Sequence, residues 1–412
     1  MAELLRFFFL LLLFSLSALA SDCDDMTTCN SCVNKRSWNP FASCRWCSLD
    51  RKCHTFGALL TNPCSTDMNI KDDEDCPSEN DIYAEYETDL AYEQVFMSAV
   101  AYTDEPDTCM DKLKLSHDIL DSDIEIISII ARSCDDWLFD YRECAVVIGL
   151  SNNRKSIYVS FRGSTATAQV LDQLVSILFE PKNSLGEGHV QEYFLEAYEK
   201  LSFCLTNHIE ELKKLYPDFT VRFSGHSLGG ALASIAAFKF IQEGKLSKDE
   251  VTLYTYGMPR VGDKLYAAEH DRRVDSSFRL VNYKDCVPHF PTCRVSCSIQ
   301  GETGPYHHRT EVFYDTSSML PESAYKVCHG NEDADCSHKY QGPVASIINI
   351  NNCFDSHVKY FGIPIGDFCD QQSGRRRKRS ESSDIGYLLS NDYCEVLQRQ
   401  GDQWAVVSTG QT

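Results

Sequence analysis

Gly225-His226-Ser227-Leu228-Gly229 places a serine between two glycines where a β-like run, Thr220 to Phe223, gives way to an Ala-rich helical run, Ala231 to Ile241. A strand that turns directly into a helix leaves no space for side chains beside the turn, so the flanking positions must be small. The serine at the apex is then held in a strained backbone conformation with its oxygen exposed, which is what a serine nucleophile needs. The pentapeptide alone arises by chance in many chains. The strand before it and Gly229-Gly230-Ala231 behind it give it weight. Without chemistry, the same run is a small-residue turn between a buried strand and a helix.

The start of the chain limits where this serine works. Arg6, the apolar stretch Phe7 to Phe14 and Ala18-Leu19-Ala20 form a secretory signal pattern over residues 1–20. That apolar stretch is too short to span a bilayer, and no later one is long enough. The expected location is therefore extracellular, or the lumen of an endomembrane compartment. Twenty cysteines, an even number, agree with an oxidising compartment. A net charge of −21 argues against nucleic acid and against electrostatic docking on anionic membranes.

Eight cysteines fall between Cys23 and Cys76, a stretch with few long apolar runs. So short a segment cannot bury enough core alone, so residues 21–77 read as a disulfide-stapled module. The pairs Cys29/Cys32 and Cys44/Cys47 have zinc-ligand spacing, but behind a signal peptide disulfides are the expected use. Cys23, Cys29, Cys32 and the run Cys44-Arg45-Trp46-Cys47 resemble the plexin–semaphorin–integrin (PSI) domain. That resemblance implies a spacer or interaction module, with a possible protein partner and no chemistry of its own. The acidic stretch Lys71 to Asp81 reads as a solvated linker.

From about Tyr83 the composition turns globular. Glu93 to Tyr102 looks helical, Cys144 to Leu150 and Lys155 to Phe161 look like buried strands, and strands alternate with helices to about Tyr360. The alternation predicts an α/β sandwich around a largely parallel sheet. A serine nucleophile also needs a base, an orienting carboxylate and donors aimed at the developing oxyanion. Three further strand ends supply candidates. Ile157 to Phe161 runs into Arg162-Gly163-Ser164. Val251 to Tyr256 runs into Gly257-Met258-Pro259-Arg260-Val261-Gly262. Phe278 to Tyr283 runs into Lys284-Asp285-Cys286-Val287-Pro288. Asp285 stands just past a strand's carboxyl end, where open α/β sheets carry their sites. An Asp in that context is otherwise a turn-capping carboxylate.

Together, Phe161-Arg162-Gly163-Ser164, Gly225 to Gly230, Tyr256 to Gly262 and Asp285 to Pro288 resemble the fungal-type (class 3) lipase family, over roughly residues 85–370. The resemblance implies an α/β-hydrolase fold with Ser227 as nucleophile, Asp285 as orienting acid, and Ser164 with the Leu228 N–H as oxyanion hole. Candidate bases after Asp285 are His289, His307, His308, His329, His338 and His357. In the family the base belongs to a late His-x-x-Tyr-Phe-Gly run, here His357 to Gly362, and the histidine near His307 is structural. His357 is therefore the expected base. The mechanism implied is acyl transfer through an acyl-enzyme, with no metal and no cofactor.

The same resemblance implies a Cys328–Cys336 loop, a partner for Cys369 near the domain's start, such as Cys109, and a lid between Ser164 and a helix around Val190 to Phe194. Val170, Leu171, Leu174, Ile177 and Leu178 do form one apolar helical face, as an ordinary core helix also would. Tyr193 stands before Phe194 where the family often has glycine. Residues 371–412 read as a tail, and the basic run ending at 376–379 as a furin-type cleavage site. The expectation is a secreted serine lipase acting on glycerolipid esters at an interface. Alternatives are a phospholipase, another carboxylesterase, or a non-catalytic lipid-binding or adhesion protein.

Overall fold

The computed structural model describes residues 23–35, 43–47, 52–55, 69–70, 84–116, 123–133, 143–164, 183–292, 304–333, 335–340, 350–369, 393–400 and 403–411. The signal pattern, the amphipathic run 167–179 and the basic run 375–379 lie outside them. Two compact units divide the chain: Met1–Ile82 with Arg294–Glu302, and Tyr83–Cys293 with Thr303–Thr412.

In the first unit, helix α1 (Cys29–Val33) is started by Thr28, whose side chain accepts from the Ser31 N–H in a capping box. Strands β1 (Cys44–Cys47), β2 (Lys52–Thr55) and β3 (Asn69–Ile70) form a sheet of order β2-β1-β3. Disulfides Cys23–Cys44 and Cys32–Cys53 tie the helix and its approach to the sheet, around buried Trp46. These sulfurs are bonded to each other, so they are not available as zinc thiolates.

The second unit opens with α2 (Thr88–Val100) and α3 (Pro106–Ser116), followed by β4 (Glu125–Ser133), β5 (Glu143–Ser151) and β6 (Ser156–Phe161). A small hairpin, β7 (Asn183–Leu185) and β8 (Gly188–Val190), leads to the long helix α4 (Glu192–Leu215). Val190, expected at the start of that helix, is instead the end of β8. Then come β9 (Thr220–His226), α5 (Leu228–Gln242), β10 (Val251–Tyr256), α6 (Lys264–Arg273), β11 (Ser277–Asn282), β12 (Glu311–Tyr314) and β13 (Lys326–Cys328). Helix α7 (Ile350–His357) and the two-residue strands β14 (Lys359–Tyr360) and β15 (Ile363–Pro364) close the expected domain. Strands β16 (Tyr393–Gln400) and β17 (Gln403–Gln411) follow.

One ten-stranded sheet runs β13-β12-β11-β10-β9-β6-β5-β4-β16-β17. Its centre, β12 to β6, is parallel. Both flanks are antiparallel, so the largely parallel sheet expected from the alternation describes the centre alone. The reason is local on the β5 side. Only Asn152 to Lys155 separate β5 from β6, and a connection that short permits only an antiparallel hairpin. Residues 393–411, expected to be part of a tail, instead extend the sheet through pairing of β16 with β4.

Alternation along the central strands divides the core in two. Ile157, Val159 and Phe161 of β6, Val221 and Phe223 of β9, and Val251 and Leu253 of β10 pack on one face. There they meet α5 and the apolar side of α4, including Phe194, Tyr198, Leu201, Leu205 and Ile209. Tyr158, Tyr254 and Tyr256 face the other way, against Val95, Phe96 and Ala99 of α2. Each fully buried large apolar side chain contributes roughly 1.5–3 kcal/mol, so helices on both faces are what make a sheet of such apolar strands stable in water. A Cys109–Cys369 disulfide, 260 residues apart in sequence, joins α3 to the segment after β15. Cys328–Cys336 closes a short loop after β13.

Candidate active site

The parallel centre brings four strand ends side by side. The spatial order β11-β10-β9-β6 aligns Asp285, Gly257, Ser227 and Ser164, each at or just past a carboxyl end. Ser227 joins β9 to α5 with φ 57 and ψ −126. A non-glycine residue in so sparsely populated a region costs about 1–3 kcal/mol. Its N–H donates to Tyr256 O at 2.9 Å, and its carbonyl accepts from the Gly230 N–H at 3.0 Å, so the turn is held from both sides. The flanking glycines are steric necessities. A Cβ on Gly225 would collide with the Gly229 backbone, and one on Gly229 with the Phe161 carbonyl oxygen.

Asp285 is fully buried. Its carboxylate accepts from His357 Nδ1 at 3.0 Å, from the Tyr360 hydroxyl at 2.6 Å and from the Val287 N–H at 2.9 Å. Burial alone would push this carboxyl up, but the attraction of His357 and the hydrogen bonds from His357, Tyr360 and Val287 outweigh it and hold it below the usual carboxylate range. A carboxylate only accepts, so Nδ1 carries the proton, and in the neutral ring Nε2 is left as a bare acceptor. His357 Nε2 and Ser227 Oγ are both buried without a hydrogen-bond partner.

The His226 ring ties this pair to the elbow. It lies 4.5 Å from the His357 ring, centroid to centroid, and its Nε2 is 2.8 Å from the His357 carbonyl. That carbonyl can only accept, so His226 Nε2 donates, and Nδ1 accepts from the Tyr102 hydroxyl at 2.8 Å. Burial, with the neighbouring His357 adding to it, pushes the His226 imidazole down to about 3, which keeps it neutral as this arrangement requires. Gly257, at φ +60, leaves the space that the pair occupies. A Cβ there would stand 2.6 Å from Asp285 Oδ2 and 2.8 Å from His357 Nδ1.

Ser164 is half-buried just beyond β6, in the segment against which Gly229 packs. Arg162 anchors this segment, donating from Nε to Ala101 O at 2.7 Å. Leu228 is the first residue of α5, where the helix itself offers no carbonyl to an N–H. A hydroxyl and a helix N-terminal N–H beside a strained serine suit a developing oxyanion.

Comparison with known proteins bears on the fold that carries this geometry. Residues 158–295 match the family model described as lipase (class 3), a span from β6 through the acid loop that holds Ser164, Ser227 and Asp285 but not His357. A lipase of Caenorhabditis elegans is 29% identical over 262 residues, covering 59% of this chain and 71% of that protein. A lipase of Rhizomucor miehei is 30% identical over 223 residues, covering 53% of this chain and 56% of that protein. A solved structure described as a triacylglycerol lipase with a serine protease triad at its catalytic centre superposes with a TM-score of 0.56 at 26% identity, covering 69% of this chain and 98% of that one. Over residues 158–295 the second unit is similar to class 3 lipases. It has the α/β-hydrolase fold and belongs to a class of carboxylic ester hydrolases.

Most of the other candidate bases have contacts of their own. His307 donates from Nε2 to the Pro288 carbonyl at 2.6 Å, and burial together with Arg279 pushes it well below its ordinary value. His308 stacks on His270 at 3.7 Å and bonds Ser234 Oγ at 3.0 Å. His338 lies 3.2 Å from Glu332, whose carboxylate clamps Arg260 through two 2.7 Å bonds. His289 sits in the turn right after the acid. His329 lies on the loop after β13. Sequence reasoning missed Tyr360, Asn282 and the supporting roles of His226 and Tyr102. Asn282 Nδ2 donates to Ser356 O at 3.0 Å and to Lys359 O at 2.7 Å, gripping the chain on both sides of His357. Tyr360 stands in the run His357 to Gly362, three residues past His357, and that proximity was the one available signal.

Proposed function

We propose that the protein is a secreted serine lipase that hydrolyses carboxylic esters of glycerolipids through an acyl-enzyme. The observation that carries this reading is the buried Asp285–His357 pair, whose free Nε2 and the unpartnered Ser227 Oγ are the two atoms that must exchange a proton. His357 removes the proton from Ser227 as Oγ attacks the ester carbonyl. Ser164 Oγ and the Leu228 N–H stabilise the tetrahedral oxyanion, a contribution of about 3–4 kcal/mol per donor. Asp285 keeps the proton on Nδ1 and stabilises the imidazolium, which then protonates the leaving alcohol. Water, activated by the same base, releases the acid. All steps run on side chains and backbone, with lipid ester as the partner at an interface.

The boundaries belong to the same proposal: residues 1–20 as a removed signal, 21–77 as a PSI-like interaction module, and 85–370 as the lipase domain. The run through 376–379 is proposed as a processing site. Because β16 and β17 pair within the sheet, a cut there is expected to yield a two-chain protein rather than a shortened one.

The test is labelling with a fluorophosphonate probe, followed by hydrolysis of an emulsified triacylglycerol. Wild type should label and hydrolyse, and Ser227→Ala should do neither. A folded wild-type protein that does not label would point to a non-catalytic lipid carrier.

A further inference from the structure

Seventy-two residues separate Asp285 from His357, so the chain between them does little to hold the pair in register. A much shorter covalent route exists. Cys286, directly after Asp285, is disulfide-bonded to Cys353, with Cα atoms 5.2 Å apart. Cys353 and His357 are four residues apart on α7, one helical turn and therefore on the same face. The ring Asp285–Cys286–Cys353–α7–His357 closes on itself through the Asp285–His357 hydrogen bond. Cys353 is buried, and Cys286 lies inside a tight turn fixed by Asp285 N–H to Asn282 O and His289 N–H to Cys286 O, both at 2.9 Å. A brace anchored in a fixed turn at one end and one helical turn from the base at the other limits both sliding and rotation of α7 against the acid.

We infer that the Cys286–Cys353 disulfide is a positioning element for the base: it sets the register of His357 against Asp285 and so makes ester hydrolysis dependent on the oxidised state of this bond. The inference rests on the assignment of His357 and Asp285 proposed above. The non-covalent ties are the Asn282 amide to Ser356 O and Lys359 O and the His226 ring to His357 O. They hold the backbone around His357 and would remain when the disulfide is absent. Its loss should therefore loosen the pair without dismantling the fold. Misplacing a reacting group by about 1 Å costs on the order of 100-fold in rate, so a loosened register acts on kcat rather than on substrate binding.

The experiment compares Cys286→Ser/Cys353→Ser with Cys328→Ser/Cys336→Ser in the full secreted protein, using a soluble short-chain nitrophenyl ester. The first variant should lose about 10- to 100-fold in kcat with KM within about twofold of wild type. The second removes a disulfide from the same domain and should keep kcat per folded molecule. If the first variant is not secreted, wild type is reduced with tris(2-carboxyethyl)phosphine under conditions that preserve its near-ultraviolet circular dichroism. Quenched aliquots are mapped by mass spectrometry. Activity should then fall in step with opening of Cys286–Cys353. Wild-type kcat in folded Cys286→Ser/Cys353→Ser, or full activity with that bond open, overturns the brace and leaves the triad reading standing. A wild-type enzyme that neither hydrolyses the ester nor labels at Ser227 overturns the triad reading itself.

Discussion

Two groups of buried histidines lie in the second unit, and their surroundings differ in kind. His357 meets a carboxylate through Nδ1 and leaves Nε2 free. His307 donates to a backbone carbonyl, His308 bonds a serine hydroxyl, and Arg279 lowers the proton affinity of both. A general base has to hold a proton in the transition state, which the Asp285 charge favours and the Arg279 charge opposes. On the proposed assignment, burial alone thus does not distinguish a base from scaffold. What distinguishes them is the sign of the strongest neighbouring charge, together with which nitrogen remains free. The largest effect expected from this comparison is on rate. His357→Ala should lower kcat by about 10⁴-fold or more. His307→Ala should leave kcat per folded molecule within about twofold while costing roughly 1–3 kcal/mol of stability, because the Pro288 carbonyl loses its donor. Kinetics on a soluble ester and thermal melts of the two variants separate the effects, and an inactive, fully folded His307→Ala protein would reverse the assignment.

The scaffold histidines have a thermodynamic signature of their own. Burial pushes His208, which lies on α4 with Nε2 2.6 Å from Ser128 Oγ, down to about 4 and His226 to about 3, and His308, buried and facing Arg279, to about 3. Each has a folded value below its ordinary 6.5. The unfolded chain therefore takes up protons that the folded state refuses, and the stability these rings contribute is complete above pH 6.5 and lost as pH falls toward the folded values. Within that window each costs about 1.4 kcal/mol per pH unit. Asp285 acts at lower pH: its depressed carboxyl loses its contribution only as pH falls below the ordinary carboxylate value. Melting temperature should hold steady above about pH 7 and drop from about pH 6.5 to 4, and His208→Gln should make that drop shallower. Identical pH profiles for the variant and wild type would show that His208 does not contribute.

The contrast between the two histidine groups also shows what was readable in the sequence. The elbow was readable because strand, turn and helix are contiguous: β9 and α5 meet at Ser227 in the structure. Asp285 was readable as an acid at a strand end for the same reason. His357 was not readable from its own neighbours. Strands β12 and β13 and the body of helix α7 lie between it and Asp285, and only the resemblance of His357 to Gly362 to a family run singled it out. The roles of Asn282 and His226 rest on contacts 74 and 131 residues distant in sequence, which no local pattern encodes. Cys286–Cys353 was hidden because cysteine counts do not give connectivity. β16 and β17 were missed because the basic run before them read as the end of the folded domain, and the β4 edge they extend is remote in sequence.

The smallest effect expected concerns how much of the difference lies in the carboxylate's own partners. Tyr360 is buried, and its hydroxyl donates to Asp285 Oδ2 at 2.6 Å while accepting from the Asn282 N–H at 3.3 Å. Tyr360→Phe keeps the ring, which packs edge-on against Tyr256 at 5.6 Å, and removes only the hydroxyl. A hydrogen bond to a charged group is worth about 1.5–3 kcal/mol, but Asp285 retains His357 and the Val287 N–H, and the carboxylate is charged in both ground and transition states. Only the part of that energy that changes as the imidazolium forms reaches the rate, so kcat should fall about tenfold with KM unchanged. A fall as deep as that of His357→Ala would mean that the hydroxyl fixes the carboxylate's orientation, and that His357 depends on it for register. No fall would mean that the Val287 N–H and His357 suffice. The free carboxylate edge would then be tolerated in a buried site, and the favourable surroundings of His357 would reduce to the charge of Asp285 alone.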